Sequence, residues 1–240
     1  YLVILFSTLS ATIIRVPSDY STIYGGISVS VDGDTVLVAD GIYYENLIIT
    51  KEITLASHFI IDGDLSHRDA TIIDGSNYNE NYGPFGSCVL FRPSDNGDPI
   101  STKLTGFTLQ NGRGSRVREH IMTPLGPETI KYYIGGGLMI DHCLPEITYN
   151  LIKNNGGDIG VGETRRGGGG ALNNDDDMEF DEDRSEPYNR TVLTRDDEII
   201  FSNNIFENNN AETGSTFESI GYLGEIDFSD SFFDVFASDD

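Results

Sequence analysis

Apolar residues in this chain come in short β-branched runs broken by Gly, Asp and Asn. The pattern is clearest from Thr35 to Gly112 and repeats without a helical period. It predicts strands at Thr35–Ala39, Leu47–Ile49, Ile53–Ala56 and Thr71–Ile73. The dipeptides Asp40-Gly41, Asp62-Gly63 and Asp74-Gly75 between them read as tight corners, with the glycine supplying a positive φ. One helix is expected ahead of the strands. Ile23, Ile27 and Val31 recur at helical spacing after Ser18 and Thr22, enough for about two turns. Such a helix would cover the open end of a stack of strands, which is otherwise an unpaired edge.

Later in the chain the pattern becomes a repeat. LTGFTLQNG (Leu104–Gly112), ITYNLIKNN (Ile147–Asn155) and FSNNIFENN (Phe201–Asn209) align. Leu104, Ile147 and Phe201 share one slot, Leu109, Ile152 and Phe206 a second, and Asn111, Asn154 and Asn208 a third. GGGLMID (Gly135–Asp141) and GGGALNN (Gly168–Asn174) form a further pair. Self-similarity of this kind marks a solenoid. Apolar residues in a shared slot stack into a core, and the shared Asn slot is expected to form a ladder of side-chain amides. Two insertions interrupt the repeat: Arg113–Lys131, which carries basic residues, and the acidic Asn173–Glu198. Solenoids accept insertions at corners, and such loops often wall a functional groove.

Net charge is −24, from 39 acidic and 15 basic residues. That argues against a nucleic-acid partner, which needs a basic footprint. It also disfavours direct binding of polyuronic acids unless a cation bridges. Glycine, at 27 residues, suits a fold of many corners. Two cysteines, Cys88 and Cys143, cannot build a disulfide framework and are read as buried free thiols. YLVILFSTLSA, at residues 1–11, reads as the end of a secretory signal and is too short to span a membrane. The domain proper is then 12–240. It ends two acids past SFFDVF without a polar cap, so truncation at the C-terminus is expected.

GDTVLVADGIYYENLIITKEITLAS, taken with IDG, LTGFTLQNG, GGGLMID and ITYNLIKNN, resembles the secreted bacterial right-handed parallel β-helix proteins of the pectin-lyase-like superfamily. The resemblance implies an all-β, single-stranded parallel β-helix with a short N-terminal capping helix and long corner insertions. It does not choose an activity, because one fold hosts many. The opening strands are similar to those of pectin methylesterases, where they are scaffold. The esterase and polygalacturonase motifs do not occur here.

Candidate chemistry is sparse. Met139-Ile140-Asp141-His142 resembles the WIDH motif of pectate lyases, whose Asp binds Ca²⁺. Arg184 to Arg190 (RSEPYNR) resembles their RxPxxR with one residue too many. Lyase chemistry needs a base at the sugar ring and a cation for the developing charge. Asp141, His142, Arg165 and Arg166 are therefore the candidate catalytic residues, against the plainer reading of polar corner residues. Asp175, Asp177, Glu179, Asp181, Asp183 and Glu186 match EF-hand offsets and are candidate Ca²⁺ ligands. Phe180 stands where that loop needs Gly, and a solvated acidic loop is the plainer reading. His58, His67, His120 and His142 show no metal-ligand spacing. The glycine run Gly167–Gly170 lacks the Lys-Ser/Thr of a phosphate-binding loop.

These observations lead to two expectations. One is a secreted or cell-surface protein, a monomer without a membrane span, that binds or presents to extracellular glycans and has no catalytic centre in this stretch. The alternative is a polysaccharide lyase or glycoside hydrolase acting on an extracellular, uronate-containing polymer.

Overall fold

The structure, a computed structural model, describes residues 10–78, 83–156, 164–181, 190–211, 216–222 and 224–233. The expectations placed on residues 1–9 and on the C-terminal 234–240 fall outside these. The described chain is dominated by parallel β-sheet with little helix, compatible with a parallel β-helix.

Three parallel sheets, A, B and C, are visited in turn. The chain enters sheet A at β1 (Ile13–Val16) and crosses α1 (Ile23–Val29). It then runs through β2 (Thr35–Val38) in A, β3 (Gly41–Tyr43) in B and β4 (Leu47–Ile49) in C. The order repeats with β5 (Thr54–Ser57), β6 (Thr71–Asp74) and β7 (Val89–Phe91). Two short helices, α2 (Phe59–Asp62) and α3 (Leu65–Ala70), are inserted between β5 and β6. Next come β8 (Lys103–Thr105) and β9 (Thr108–Gln110). A long hairpin, β10 (Ser115–Thr123) with β11 (Gly126–Ile134), precedes β12 (Leu138–Asp141) in C. β13 (Glu146–Thr148) and β14 (Leu151–Lys153) follow, then β15 (Thr164–Arg166), β16 (Gly170–Asn173) in C and β17 (Met178–Phe180). The last circuits are β18 (Glu198–Ser202), β19 (Ile205–Glu207), β20 (Phe217–Ile220), β21 (Glu225–Asp227) and β22 (Phe232–Phe233).

The expected register is present. Ile147 pairs with both Leu104 and Phe201, and Ile152 with both Leu109 and Phe206. All six side chains are fully buried in one continuous core. Identical slots therefore stack apolar on apolar, and period-2 alternation sends the intervening residues outward. The glycine pair slides by one residue from the sequence alignment: Leu138 pairs with Gly170 and Asp141 with Asn173. That register stacks Leu172 on Ile140 and gives the positive φ to Gly135 and Gly167 alike.

The expected asparagine ladder needs correction. Asn111, Asn154 and Asn208 do share a slot, but all three are exposed and hold φ between 52° and 60°. They are left-handed corner residues, a conformation Asn tolerates better than other side chains with a Cβ. The amide ladders are built one residue further on. Asn155 Oδ1 accepts from the Gly112 N–H at 2.9 Å, its Nδ2 donates to the Leu109 carbonyl, and Asn209 repeats the arrangement below. A second ladder, Asn150 over Asn204, lines the A–B corner. These amides satisfy backbone groups that the corner turns away from the sheet ladders.

Among the Asp-Gly dipeptides, only Gly63 takes a positive φ. Gly41 lies in β3. Gly75 is needed for closeness instead: a Cβ there would sit 2.8 Å from the Gly112 Cα and 3.1 Å from Cys88 Sγ. The predicted helix is α1, capped by the Thr22 hydroxyl accepting from the Gly25 N–H at 3.0 Å. Ile23 and Ile27 face inward, whereas Val31 lies beyond its end and is exposed. The helix packs on β1, β2 and β4, over one end of the stack.

Cys88 and Cys143 are free and fully buried. Burial pushes the Cys88 thiol up to about 12, and that of Cys143 upward as well. Since the thiolate is the reactive form, iodoacetamide should label neither cysteine in the native protein and both in denaturant, as read by intact mass. Labelling of Cys88 under native conditions would mean that the corner it packs against opens readily.

Candidate functional site

The two insertions decide which surfaces are left open. β10 and β11 pair antiparallel from Ser115↔Ile134 to Thr123↔Gly126, β17 joins β10 and β15 joins β11. This fourth sheet lies on the outer face of sheet C. Val117, Tyr132, Ile134, Met178 and Phe180 pack against Leu90, Met139 and Ala171. Basic and acidic insertions meet here. Asp181 pairs with Arg116 at 2.8 Å and Lys131 at 3.0 Å, and Arg118 with its cross-strand neighbour Glu179 at 3.0 Å.

The candidate Ca²⁺ ligands are thereby placed. Asp175 and Asp177 sit in the turn before β17, where Asp175 Oδ1 accepts from the Asp177 N–H. Glu179 and Asp181 face the arginines and lysine of the hairpin. β17 is extended, and an extended strand does not wrap around one ion as an EF-hand loop does. Asp183 and Glu186 lie outside the described residues, as do Arg184 and Pro187.

The four candidate catalytic residues fall into two groups. Asp141 and His142 have 0% exposure at the end of β12. Asp141 Oδ1 accepts from Asn173 Nδ2 at 2.8 Å, meets His142 Nδ1 at 2.9 Å and lies 3.4 Å from the Arg190 guanidinium. Burial pushes the Asp141 carboxyl up, but His142, Arg190 and Asn173 outweigh it and hold it below the usual range. Arg165 and Arg166 sit on β15, before the Gly167 corner. Asn173, the strand partner of Asp141, is at the far end of β16, a strand about 10 Å long. Arg165 is buried, and Arg166 pairs with Glu218 at 2.9 Å and stacks on Tyr132 at 4.9 Å. Asp141 and His142 are closed to a polymer by their burial.

An open site lies on sheet C where the second layer stops. Between α1 and the Phe85 region is a hollow of about 280 Å³, lined by Tyr24, Tyr44, Glu45, Asn46, Ile48, Tyr78 and Phe85 among others. Tyr24 is 63% and Tyr44 57% exposed. Three features fix the walls of the hollow. Glu45 accepts from the N–H groups of Ile23 and Tyr24 at 2.9 and 2.8 Å, so it fixes the first turn of α1 beside Tyr44. Asn46 Nδ2 donates to the carbonyls of Gly75 and Ser87, tying this strand start to the next circuit. Phe85 packs edge-on against Phe180 at 5.4 Å, and the Tyr78 hydroxyl donates to Gly83.

Neither Tyr24 nor Tyr44 stands out in the sequence reading. The visible signal is YYEN following STIY, paired aromatics in a stretch read as scaffold. What joins them is the reach of Glu45 across 21 residues to the start of α1. The structure also brings together two of the histidines that are separate in sequence. His58 and His67 meet in space, with ring centroids 5.6 Å apart, beside Asp40. No protein-family model and no curated protein matches the chain significantly. Among the described residues no helix is long and apolar enough to cross a membrane.

Proposed function

We propose that this chain is a secreted or cell-surface right-handed parallel β-helix protein of the pectin-lyase-like kind, and that it binds an extracellular glycan at the Tyr24–Tyr44 hollow. The observation that carries the reading is the pair of exposed tyrosines lining one hollow. Exposed aromatic rings grouped around a hollow are the kind of surface that takes a ligand. Tyrosine offers a flat apolar face for the C–H side of a sugar ring and a hydroxyl for its edge, at low entropic cost. Anchoring by Glu45 lowers the ordering cost of binding further. The net charge of −24 favours neutral glycans over polyuronates.

A lyase or hydrolase centred on Asp141 would need that carboxylate to reach its polymer. Its complete burial beneath Asn173, His142 and Arg190 supports a structural role instead.

The test is a titration with neutral oligosaccharides, followed by glycan-array binding. The chain has 12 tyrosines and no tryptophan, so binding is read by calorimetry rather than by intrinsic fluorescence, which averages over all of them. Tyr44→Ala and Tyr24→Ala should each weaken binding by about tenfold or more, the loss typical of a central anchor. Binding undiminished in both variants would refute the assignment. Release of unsaturated sugar products from uronate polymers would favour the lyase.

A further inference from the structure

A second, independent site lies at the corner between sheets A and B, away from the tyrosine hollow. We propose that Asp40, His58 and His67 bind a divalent transition cation, Zn²⁺ above all. Three separate segments meet there. Asp40 ends the link from β2 to β3, His58 follows β5 directly, and His67 lies in α3. One ligand atom from each lies within 4.8 Å of the other two. His67 Nδ1 is 2.7 Å from Asp40 Oδ1, and its Nε2 is 3.4 Å from Asp62 Oδ2, so carboxylates steady the ring on both sides. The rings of His58 and His67 stand edge to face at 80°. The Thr71 hydroxyl donates to the same Asp40 oxygen at 3.4 Å.

The donor set selects the ion. Two imidazoles and a carboxylate suit Zn²⁺ and its neighbours, whereas Ca²⁺ and Mg²⁺ prefer oxygen alone. Bonds of about 2.0–2.2 Å need donor atoms roughly 3.4 Å apart around a tetrahedral centre. His58 must draw in by about an ångström while the His67–Asp40 pair opens slightly from 2.7 Å to admit the ion, and none is locked in the core: His58 and His67 are half-buried and Asp40 is exposed. Three protein ligands leave a fourth position, which a water can take. Asp62 stands where an outer carboxylate commonly orients a metal-bound histidine. The α2–α3 insertion supplies both histidines, and a bound ion would clip it to the preceding circuit.

The experiment is Zn²⁺ titration of the whole chain by calorimetry, with Co²⁺ absorption as the spectroscopic readout. One equivalent should bind in the micromolar range or tighter. Millimolar Ca²⁺ should not displace it. His58→Gln and His67→Gln should each weaken binding at least about tenfold, while His120→Gln, on the hairpin, should leave it unchanged. Asp40→Asn serves as a second ligand variant, and far-UV circular dichroism establishes that each variant folds. In NMR spectra, substoichiometric Co²⁺ should broaden the ring protons of His58 and His67 and spare those of His120. Binding unaltered by both histidine variants, displacement by Ca²⁺, or equal broadening of all exposed histidines would overturn the site and show the acidic surface acting alone.

Discussion

Replacing Asn150 by alanine should destabilise the protein by about 3–5 kcal/mol and lower Tm by about 10 °C or more. The side chain is fully buried and serves four partners. Its Oδ1 accepts from the Phe107 N–H at 3.0 Å, and its Nδ2 lies within bonding distance of the Leu104 and Thr148 carbonyls and of Asn204 Oδ1. Alanine leaves the Phe107 N–H and the Leu104 carbonyl without these partners in a corner closed to water. Each orphaned group costs about 1–3 kcal/mol. The contrast that makes the test specific is Asn154→Gly, four residues on. Asn154 is exposed at φ 53°, where glycine is at ease, so the change should fall within about 0.5 kcal/mol of neutral. Thermal melts of the two variants check both statements. Equal losses would mean that the ladder residues have been misassigned.

Asp141→Ala is expected to be comparably severe, about 3–5 kcal/mol, because it leaves Arg190 and His142 buried beside a missing carboxylate. Asp141→Asn should cost less, since it loses the charge beside Arg190 but keeps a hydrogen-bond acceptor. The partner strand already carries Asn173 in that position, and an amide oxygen keeps the bond from Asn173 Nδ2. The same residue shapes the acid limit of stability. For Asp141, burial raises the carboxyl, but its partners bring the net value below normal. Asp74 behaves alike: burial raises it, and Ser76, Gln110 and Asn111 outweigh that. Asp34 is lowered by the N–H groups of Val31 and Thr12. A carboxyl depressed by folding adds stability that is fully present above its unfolded value, about 3.9, and lost as pH falls through its folded value. Urea midpoints should therefore drop below about pH 4, beneath the range in which His67, raised by its hydrogen bond to Asp40, adds stability on acidification. Asp141→Asn should flatten part of that drop. A midpoint that rises as pH falls below about 4 would contradict the assignment.

Much of the scaffold was legible because its rule is local. Leu104, Ile147 and Phe201 recur in one slot because each circuit buries the same face, and a period of two leaves no other way to do so. The helix at Ile23–Val29 was readable from its spacing, though it starts at the Thr22 cap rather than near Ser18 and Val31 fell outside it. The asparagine corners were harder. NN in ITYNLIKNN and in FSNNIFENN offers two candidates for the inward slot, and composition cannot say which residue takes the left-handed turn. Backbone geometry assigns the first to the corner and the second to the ladder.

Function-bearing residues were less legible still. Asp141 and His142 caught the eye through a motif, yet they lie sealed beneath Arg190, which is 48 residues beyond His142 in sequence. The acidic run looked like a cation loop because density alone satisfies many spacings. Its partners, Arg116, Arg118 and Lys131, belong to the other insertion. His58 and His67, nine residues apart, gave no metal spacing, since their third ligand comes from the previous circuit.

The alternation of β-branched runs and turn residues was enough, by itself, to determine stacked parallel strands, the shared core slots and the capping helix. All of these follow from near-neighbour chain geometry and burial of one face. Only the tertiary structure decided how the two insertions pair their charges, which face of sheet C stays open, that Tyr24 and Tyr44 line one hollow, and that His58 meets His67. Those contacts join residues from different circuits. Their formation depends on the rise and register of the stack, quantities that no single stretch of sequence encodes.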